Sequence, residues 1–506
     1  MQKIMKKLKD KNLYISLLIS LVFFAIFIKL EYATDTYSLF EEAVSTRVNH
    51  FLLSGRFVTA LWWGAVNFFH LSDYLIYLSS FALAIICITL SIYNLFLVFS
   101  KKIKNEVICL LVSTIIIINP FTIELFLFLE KGILTFAVLL SVLAFCEFAK
   151  YLDGNKKALK YVFIFMLIAT FSYQGVIGLF IALSTAYIVF NTKSIKNFIK
   201  NNVIVLLGYG VPAIINLLII RLFFSNDRVN GAINFSESIQ KVLNGTKEMI
   251  DSYTILPENT LKIAIGILAI LIIVLIIINK KDKIGSKLLK ILGLVYVFVA
   301  TLGITIIPQL MQNTESIWFV PRSTYPFGAI IGIMCMYLLY LACREELDVT
   351  SKIEGKNNVI TLQNIVNIFV GTICVVMLLM QLYSFNKIEI DHYTVNYLDK
   401  INSLKIGEEI KLYEQETGNN ITKICVYNDM NVTYSYKGLW SNKDTNITGF
   451  NPEWSIVNMI NYYTNLDLTA GEKSSEIEEN FKEQDWDNFN TEQIIFIDDT
   501  IHYCKF

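Results

Sequence analysis

Residues 261–279 read LKIAIGILAILIIVLIIIN, and Lys280-Lys281-Asp282-Lys283 follows at once. A helix rises about 1.5 Å per residue and a bilayer's hydrocarbon core is about 30 Å thick, so about 20 such residues cross it. The same reading applies to 13–30, 74–99, 203–224, 288–307, 325–343 and 365–383. Over the 506 residues the composition is 55% hydrophobic and only 17% charged, with a mean hydropathy of +0.53. Soluble proteins carry about 25% charge, so a soluble globular enzyme is excluded. Disorder is excluded too, because it needs few aromatics and a high net charge.

Two longer stretches need the charges to parse them. Residues 107–148 are almost uninterruptedly apolar, broken by Asn119-Pro120 and by Glu124 to Lys131, which reads as two crossings joined by a polar hairpin. Residues 161–190 are long for one span. Lys150, Lys156, Lys157 and Lys160 precede them and Lys193, Lys196 and Lys200 follow. Both flanks are cytoplasmic by the positive-inside rule, so the chain returns to its starting side through two short helices turning at Tyr173-Gln174. The first apolar run follows Lys3, Lys6, Lys7, Lys9 and Lys11, as in a signal peptide, but Lys29-Leu30-Glu31-Tyr32 is a poor cleavage site, so it reads as a retained helix.

About eleven crossings result. The N-terminus, Lys101–Lys104, both lysine clusters, the 280–283 loop and the 344–356 loop are cytoplasmic. The outer side receives 31–73, 124–131, 173–174, 225–260, 309–323 and the tail. Residues 57–69, with Trp62 and Trp63, are too short to span and suit the lipid–water boundary.

Charge and cysteine usage divide the chain into a membrane body, 1–385, and a soluble tail, 386–506. From Lys387 onward there are 21 acidic and 10 basic residues, which leaves 22 acidic and 33 basic residues before it. The basic residues form short loop clusters rather than one face, so nothing points to nucleic acid. In the tail, 423–427, 494–497 and 501–506 read as strands, with a turn at Asp498-Asp499-Thr500, giving a small extracytoplasmic α/β unit. Six of the eight cysteines lie in or beside apolar runs; only Cys425 and Cys504 are in the tail, where an oxidising compartment would allow one disulfide. There is no CxxC and no zinc-type Cys/His spacing.

Ionisable groups concentrate on the outer side: Glu31, Asp35, Glu41, Glu42, Arg47, His50 and Arg56 in the first loop, then Glu124, Glu130 and Lys131, then Arg221, Asp227, Arg228, Glu315 and Arg322. The helices between them carry nearly no charge, whereas a coupled transporter places carboxylates or broken helices at the midplane. An outer catalytic cavity fits better. No nucleotide pool exists there, so a transferase needs a pre-activated, lipid-anchored donor, and a polyprenyl-phosphate sugar meets that need. Its chemistry asks for a carboxylate to take the acceptor's proton and for cations at the departing phosphate.

Asp35 is the candidate base, with Glu31 as the second acid. Ser38-Leu39-Phe40-Glu41 matches a capping box, which assigns Glu41 to structure. Arg56, Lys131, Arg221 and Arg322 are candidates for the phosphate, with Glu130 beside them; Tyr173 and Gln174 are candidates for sugar hydroxyls. Arg56 has an equally plain alternative as a snorkelling side chain. P-loop, HExxH, GxSxG and EF-hand patterns are absent. Hard oxygen ligands would suffice for a divalent metal, but no spacing demands one, and no cofactor is expected.

The order of one helix, then Tyr32-Ala33-Thr34-Asp35, then Ser54-Gly55-Arg56-Phe57-Val58-Thr59-Ala60-Leu61, resembles the bacterial Gtr type II glucosyltransferases, linked to O-antigen modification and belonging to the glycosyltransferase C superfamily. Asn119-Pro120-Phe121, Ser172-Tyr173-Gln174-Gly175 and Pro321-Arg322 are further landmarks of the resemblance, which covers roughly 13–344. The family often shows two adjacent acids in the first loop, whereas Thr34 and Thr36 flank Asp35 here. The resemblance implies a glycosyltransferase C-like α-helical multi-pass membrane fold, a polyprenyl-phosphate-linked sugar donor, glucose as the sugar, and an acid of the first outer loop as base.

The expected function is transfer of that sugar onto a cell-envelope glycan at the outer side of the bacterial cytoplasmic membrane, among membrane lipids. Rival readings are a lipid-linked glycan polymerase or ligase, and a lipid-linked-sugar flippase or exporter.

Overall fold

The computed structural model describes residues 10–41, 44–191, 194–224, 234–279, 283–310, 312–344, 362–431, 433, 435–442, 445–486 and 489–505. The lysines before Asp10, Glu42, Lys193, Asp227, Arg228, Lys280-Lys281-Asp282, the 345–356 part of the inner loop and Phe506 lie outside the described residues. The chain forms two compact units. One comprises Met1–Ile28, Val48–Phe126 and Glu130–Phe385; the other comprises Lys29–Arg47, Leu127–Leu129 and Asn386–Phe506. Charge alone divides the chain at 385/386, and the structure also draws Lys29–Arg47 of the first loop into the second unit.

In the first unit, nine helices among the described residues are long and apolar enough to cross a membrane, counting Leu362–Thr417, which runs on into the second unit. A count of eleven also needs Glu106–Ile117 and Leu159–Ser172, which have 12 and 14 residues and so rise only about 18–21 Å. Each is the first arm of a hairpin that the charges separate. The second break falls at Tyr173, with extended φ −159° and ψ 118°, followed by the single 3-10 turn Gln174–Val176.

Lys131–Leu152 and Pro321–Cys343 are mostly buried inside the body, while Ile195–Phe223, Thr260–Ile278 and Ile284–Leu310 keep apolar side chains such as Leu206, Ile270 and Val299 outward. That inversion is what a bilayer solvent asks for. Serine and threonine inside these helices satisfy their own hydroxyls on the preceding turn: Ser16 on the Asn12 carbonyl, Ser113 on that of Cys109 and Thr301 on that of Val297. Phe24 stacks on Phe126 with centroids 3.8 Å apart, an arrangement that contributes about 0.5–1.5 kcal/mol beyond burial. The short run after Arg56 is one helix, Phe57–Phe68, with Trp63 buried and Leu61 outward.

The second unit carries a four-stranded sheet in the order β2-β1-β4-β3, with β1 Lys423–Asn428, β2 Thr469–Ala470, β3 Ile494–Ile497 and β4 Thr500–Lys505. β1 is parallel to β2 and β4, and β3 forms an antiparallel hairpin with β4 whose turn residue Asp498 has φ +52°. β2 has two residues, too few to leave an alternating signal. Its core joins Tyr37, Ile410, Ile424, Ile456, Ile501 and Tyr503.

Leu362–Thr417 continues unbroken for 56 residues, far beyond the 365–383 span. On its later part His392, Asn396, Asp399 and Ser403 recur at three- and four-residue spacing and are all buried, so one face of this helix is polar yet internal. Asp399 accepts from the Tyr436 hydroxyl and the Gly449 backbone N–H, both at 2.8 Å.

The disulfide that the sequence allowed is not formed: Cys425 and Cys504 are both free and buried. The β1–β4 register pairs Cys425 with His502 and Tyr427 with Cys504. Two residues of offset separate the cysteine Cα atoms by about 8 Å, beyond the roughly 7 Å a disulfide spans. Cys425 donates instead to the Glu472 carbonyl at 3.0 Å.

Candidate functional site

The short motifs of the membrane body fold into one cluster around the helix Pro321–Gly328. Pro321 starts this helix, where its missing N–H costs nothing. The next N–H, of Arg322, donates to Glu124 Oε2 at 2.5 Å, and the Arg322 guanidinium pairs with Oε1 of the same carboxylate. Glu124 is fully buried on Thr122–Leu127, while the Arg322 side chain keeps 18% exposure. One carboxylate therefore caps a helix N-terminus and orients a cation whose outer edge stays accessible.

Asn119-Pro120-Phe121 supports the same helix from below. Asn119 Oδ1 accepts from the Phe121 N–H at 3.0 Å, and Tyr325 donates to the Ile117 carbonyl at 2.7 Å. A Cβ on Gly328 would sit 2.2 Å from Asn119 Oδ1, so glycine lets the two segments touch.

Ser54-Gly55-Arg56 is a turn with Gly55 at φ +70°. Its carbonyls are gripped from two sides: Gln174 Nε2 donates to Ser54 and Gly55 at 3.3 and 3.2 Å, and Asn216 Nδ2 donates to Gly55 at 2.9 Å. Arg56 leaves the turn with its guanidinium 4.9 Å from the centre of the Tyr173 ring. Arg322 and Glu124 lie within electrostatic reach of the Tyr173 hydroxyl, and Gly175 packs with no room for a Cβ against the Tyr173 ring and the Arg322 carbonyl. Two arginines, one tyrosine and one buried carboxylate thus share one spot, and its chemistry suits an anion that approaches the half-buried guanidinium groups.

The other residues expected here fare differently. Gln174 spends its amide on the Ser54–Gly55 turn. Lys131 is 1% exposed, with its ammonium 3.9 Å above the Tyr77 ring, and Glu130 is buried beside it. The Gly132 N–H donates to the Ser80 hydroxyl at 3.0 Å, so the Lys131 end of the 124–131 hairpin is packed within the body. Arg221 is exposed in the last turn of Ile195–Phe223.

In the second unit the first-loop acids separate by environment. Thr34–Glu41 is a helix, so Ser38 lies inside it and donates to the Asp35 carbonyl at 2.9 Å; the capping box expected at Ser38 is corrected, because the helix begins one turn earlier. Asp35 is exposed in the first turn, and Trp454 Nε1 donates to its Oδ1 at 3.2 Å. Glu31 is 4% exposed, and neither of its oxygens has a hydrogen-bond partner among the described residues. His392 Nε2 stands 4.0 Å from Glu31 Oε2, and His392 Nδ1 is 3.1 Å from Asn446 Oδ1. Asn396, one turn along from His392, pins the Tyr32 backbone through both its N–H and its carbonyl, at 2.8 and 3.1 Å.

Sequence reasoning missed Glu124 as a site residue, and it missed His392 and Trp454 entirely. The buried polar stripe past the last span was the available signal for His392; Trp454 left none. Among the described residues no group of three His, Cys, Asp or Glu side chains is placed to hold a metal ion.

A comparison with curated proteins returns no match. The family profile described as Glucosyl transferase GtrII matches residues 24–333. That stretch is more than half of the chain and contains Tyr32–Asp35, Ser54–Leu61, Asn119–Phe121, Ser172–Gly175 and Pro321–Arg322 together. A multi-pass membrane transferase is what such a match entails, and the chain belongs to the GtrII glucosyl transferase family.

Proposed function

We propose that this protein moves a glucosyl group from a polyprenyl-phosphate carrier to a cell-surface glycan on the outer side of the bacterial cytoplasmic membrane, with the N-terminus cytoplasmic and the tail extracytoplasmic. The observation that carries the reading is the convergence of Arg56, Tyr173 and Arg322, with Glu124 behind Arg322.

The acceptor oxygen bonds to the sugar's anomeric carbon as the bond from that carbon to the phosphate oxygen breaks. The electron pair leaves with the carrier phosphate, and Arg56 and Arg322 offset its growing charge. Asp35, exposed at the start of its helix, takes the acceptor's hydroxyl proton. Asn396, bonded to the Tyr32 backbone, holds the segment that carries Asp35, and Glu31, the second acid, is buried beside His392. Lys131 and Arg221 stay outside this assignment.

The test uses purified full-length protein in detergent with polyprenyl-phosphate glucose and a crude envelope glycan fraction, comparing wild type with Asp35→Asn. Transfer by wild type alone is expected. Equal transfer by Asp35→Asn removes Asp35 as the base, and no transfer by wild type overturns the donor reading.

A further inference from the structure

Trp454 is the largest exposed side chain beside the proposed base. It lies 419 positions from Asp35 in sequence and far beyond the 24–333 family match, yet its indole N–H bonds the Asp35 carboxylate at 3.2 Å. It is 61% exposed, so its ring contributes little to the core beneath. The contact is nonetheless fixed.

Trp454 starts the helix Glu453–Thr464, whose Ile456, Met459 and Ile460 are fully buried. That helix docks on Thr34–Glu41 and the segment before it through two tyrosine pairs, Tyr37–Tyr463 with hydroxyls 3.0 Å apart and Tyr32–Tyr462 at 3.1 Å. Asp35 and Trp454 are therefore carried on two helices locked to each other. Ser38 and Asn458 lie one turn beyond each, both half-buried; the Ser38 hydroxyl donates to the Asp35 carbonyl and Asn458 Nδ2 to the Trp454 carbonyl, so what these groups offer beside the pair is their oxygens as acceptors.

An open aromatic face next to a carboxylate, with hydroxyl and amide oxygens around it, is the chemistry that recognises a pyranose. The ring's C–H face lies on the indole, and its hydroxyls bond the acid, which has about four acceptor sites and gives one to the indole N–H. We propose that Trp454 is the platform for the acceptor sugar, holding one pyranose of the acceptor glycan with a hydroxyl directed at Asp35. The tail, outside the family match, then decides which glycan is modified. This rests on Asp35 being the base of the proposed reaction.

Two substitutions divide the roles of the indole. Trp454→Phe keeps an aromatic face and loses the N–H; Trp454→Gln keeps an N–H donor and loses the face. Full-length variants in detergent are assayed with polyprenyl-phosphate glucose against increasing crude envelope glycan, with binding of that fraction to immobilised protein measured in parallel without donor. Protease resistance of the tail checks folding.

Trp454→Gln is expected to raise the apparent KM for the glycan at least about tenfold, with the donor KM unchanged. Trp454→Phe is expected to hold the glycan KM within about threefold while kcat falls. A glycan KM for Trp454→Gln within about twofold of wild type, with normal transfer, overturns the platform and leaves the transferase reading standing. Absence of transfer in wild type, with glycan binding that Trp454→Gln abolishes, overturns the transferase reading and supports the platform.

Discussion

Glu124 and Arg322 offer the sharpest separation of structure from chemistry. Glu124→Gln preserves shape but replaces one carboxylate oxygen with an amide N–H that faces a donor, either the Arg322 N–H or its guanidinium. Removing one partner of a buried pair costs about 3–5 kcal/mol. Arg322 is 18% exposed and Glu124 is not exposed at all, so solvent relieves the arginine in part and the lower end, about 3 kcal/mol, applies. For a body of this size that is a fall of about 6 °C in melting temperature, taking about 2 °C per kcal/mol. Cys109, Cys335 and Cys374 are fully buried reporters, so a thiol-reactive dye followed during heating in detergent reads the transition.

The pair Glu124→Leu with Arg322→Met should recover only part of that loss: apolar residues of similar volume replace the ion pair, but the backbone N–H of residue 322 loses its acceptor, which costs about 1–3 kcal/mol. Sugar transfer should stay absent, because the guanidinium that meets the phosphate is gone. A Glu124→Gln melt within about 1 °C of wild type refutes the pairing argument. Normal transfer by the double variant refutes the phosphate role of Arg322.

Gly55→Ala should destabilise the body by roughly 2–4 kcal/mol, combining a positive φ with loss of the Asn216 bond. A Cβ there would lie 2.2 Å from Asn216 Oδ1, whereas Gly64→Ala, inside a helix with nothing within 4 Å, should stabilise by about 0.5–1 kcal/mol in the same melt. Burial against Tyr427, whose hydroxyl is 2.8 Å from Nδ1, holds the His502 pKa below its ordinary value. The neutral ring is therefore the folded form, the unfolded chain takes up the proton first, and tail stability is lost as pH falls below about 6.5. Protease protection of the tail at pH 7.5 and 5.5 should show that loss, and His502→Gln should flatten it. Burial pushes the Cys504 thiol up to about 12, so alkylation of the native protein at pH 8 should leave it unlabelled, and labelling should appear only on unfolding.

Much of the architecture was legible because its causes are local. Bilayer thickness forces long apolar runs such as 261–279, and lysine asymmetry separates the two short arms around Tyr173-Gln174. The three longer strands announced themselves as short runs rich in β-branched and aromatic residues and through the Asp498–Thr500 turn. β2 did not, since two residues form a strand only because β1 is already there to pair with. The capping box at Ser38 misled for a related reason: the pattern fits, but tertiary contacts of Tyr32 and Tyr37 start the helix a turn sooner.

The sequence by itself determined that the chain is a multi-pass membrane protein with a polar tail, and it carried the motifs of the GtrII family in order. Hydropathy and side-chain type suffice for that, because each span answers to its own solvent. Only the tertiary structure decided which of the charged residues act together. It buried Glu124 behind Arg322, stacked Arg56 on Tyr173, withdrew Lys131 beneath Tyr77 and set Trp454 against Asp35. Those pairings join residues up to 419 positions apart, and a charge's role depends on burial and on the partner opposite it, neither of which is written in the residue's own neighbourhood.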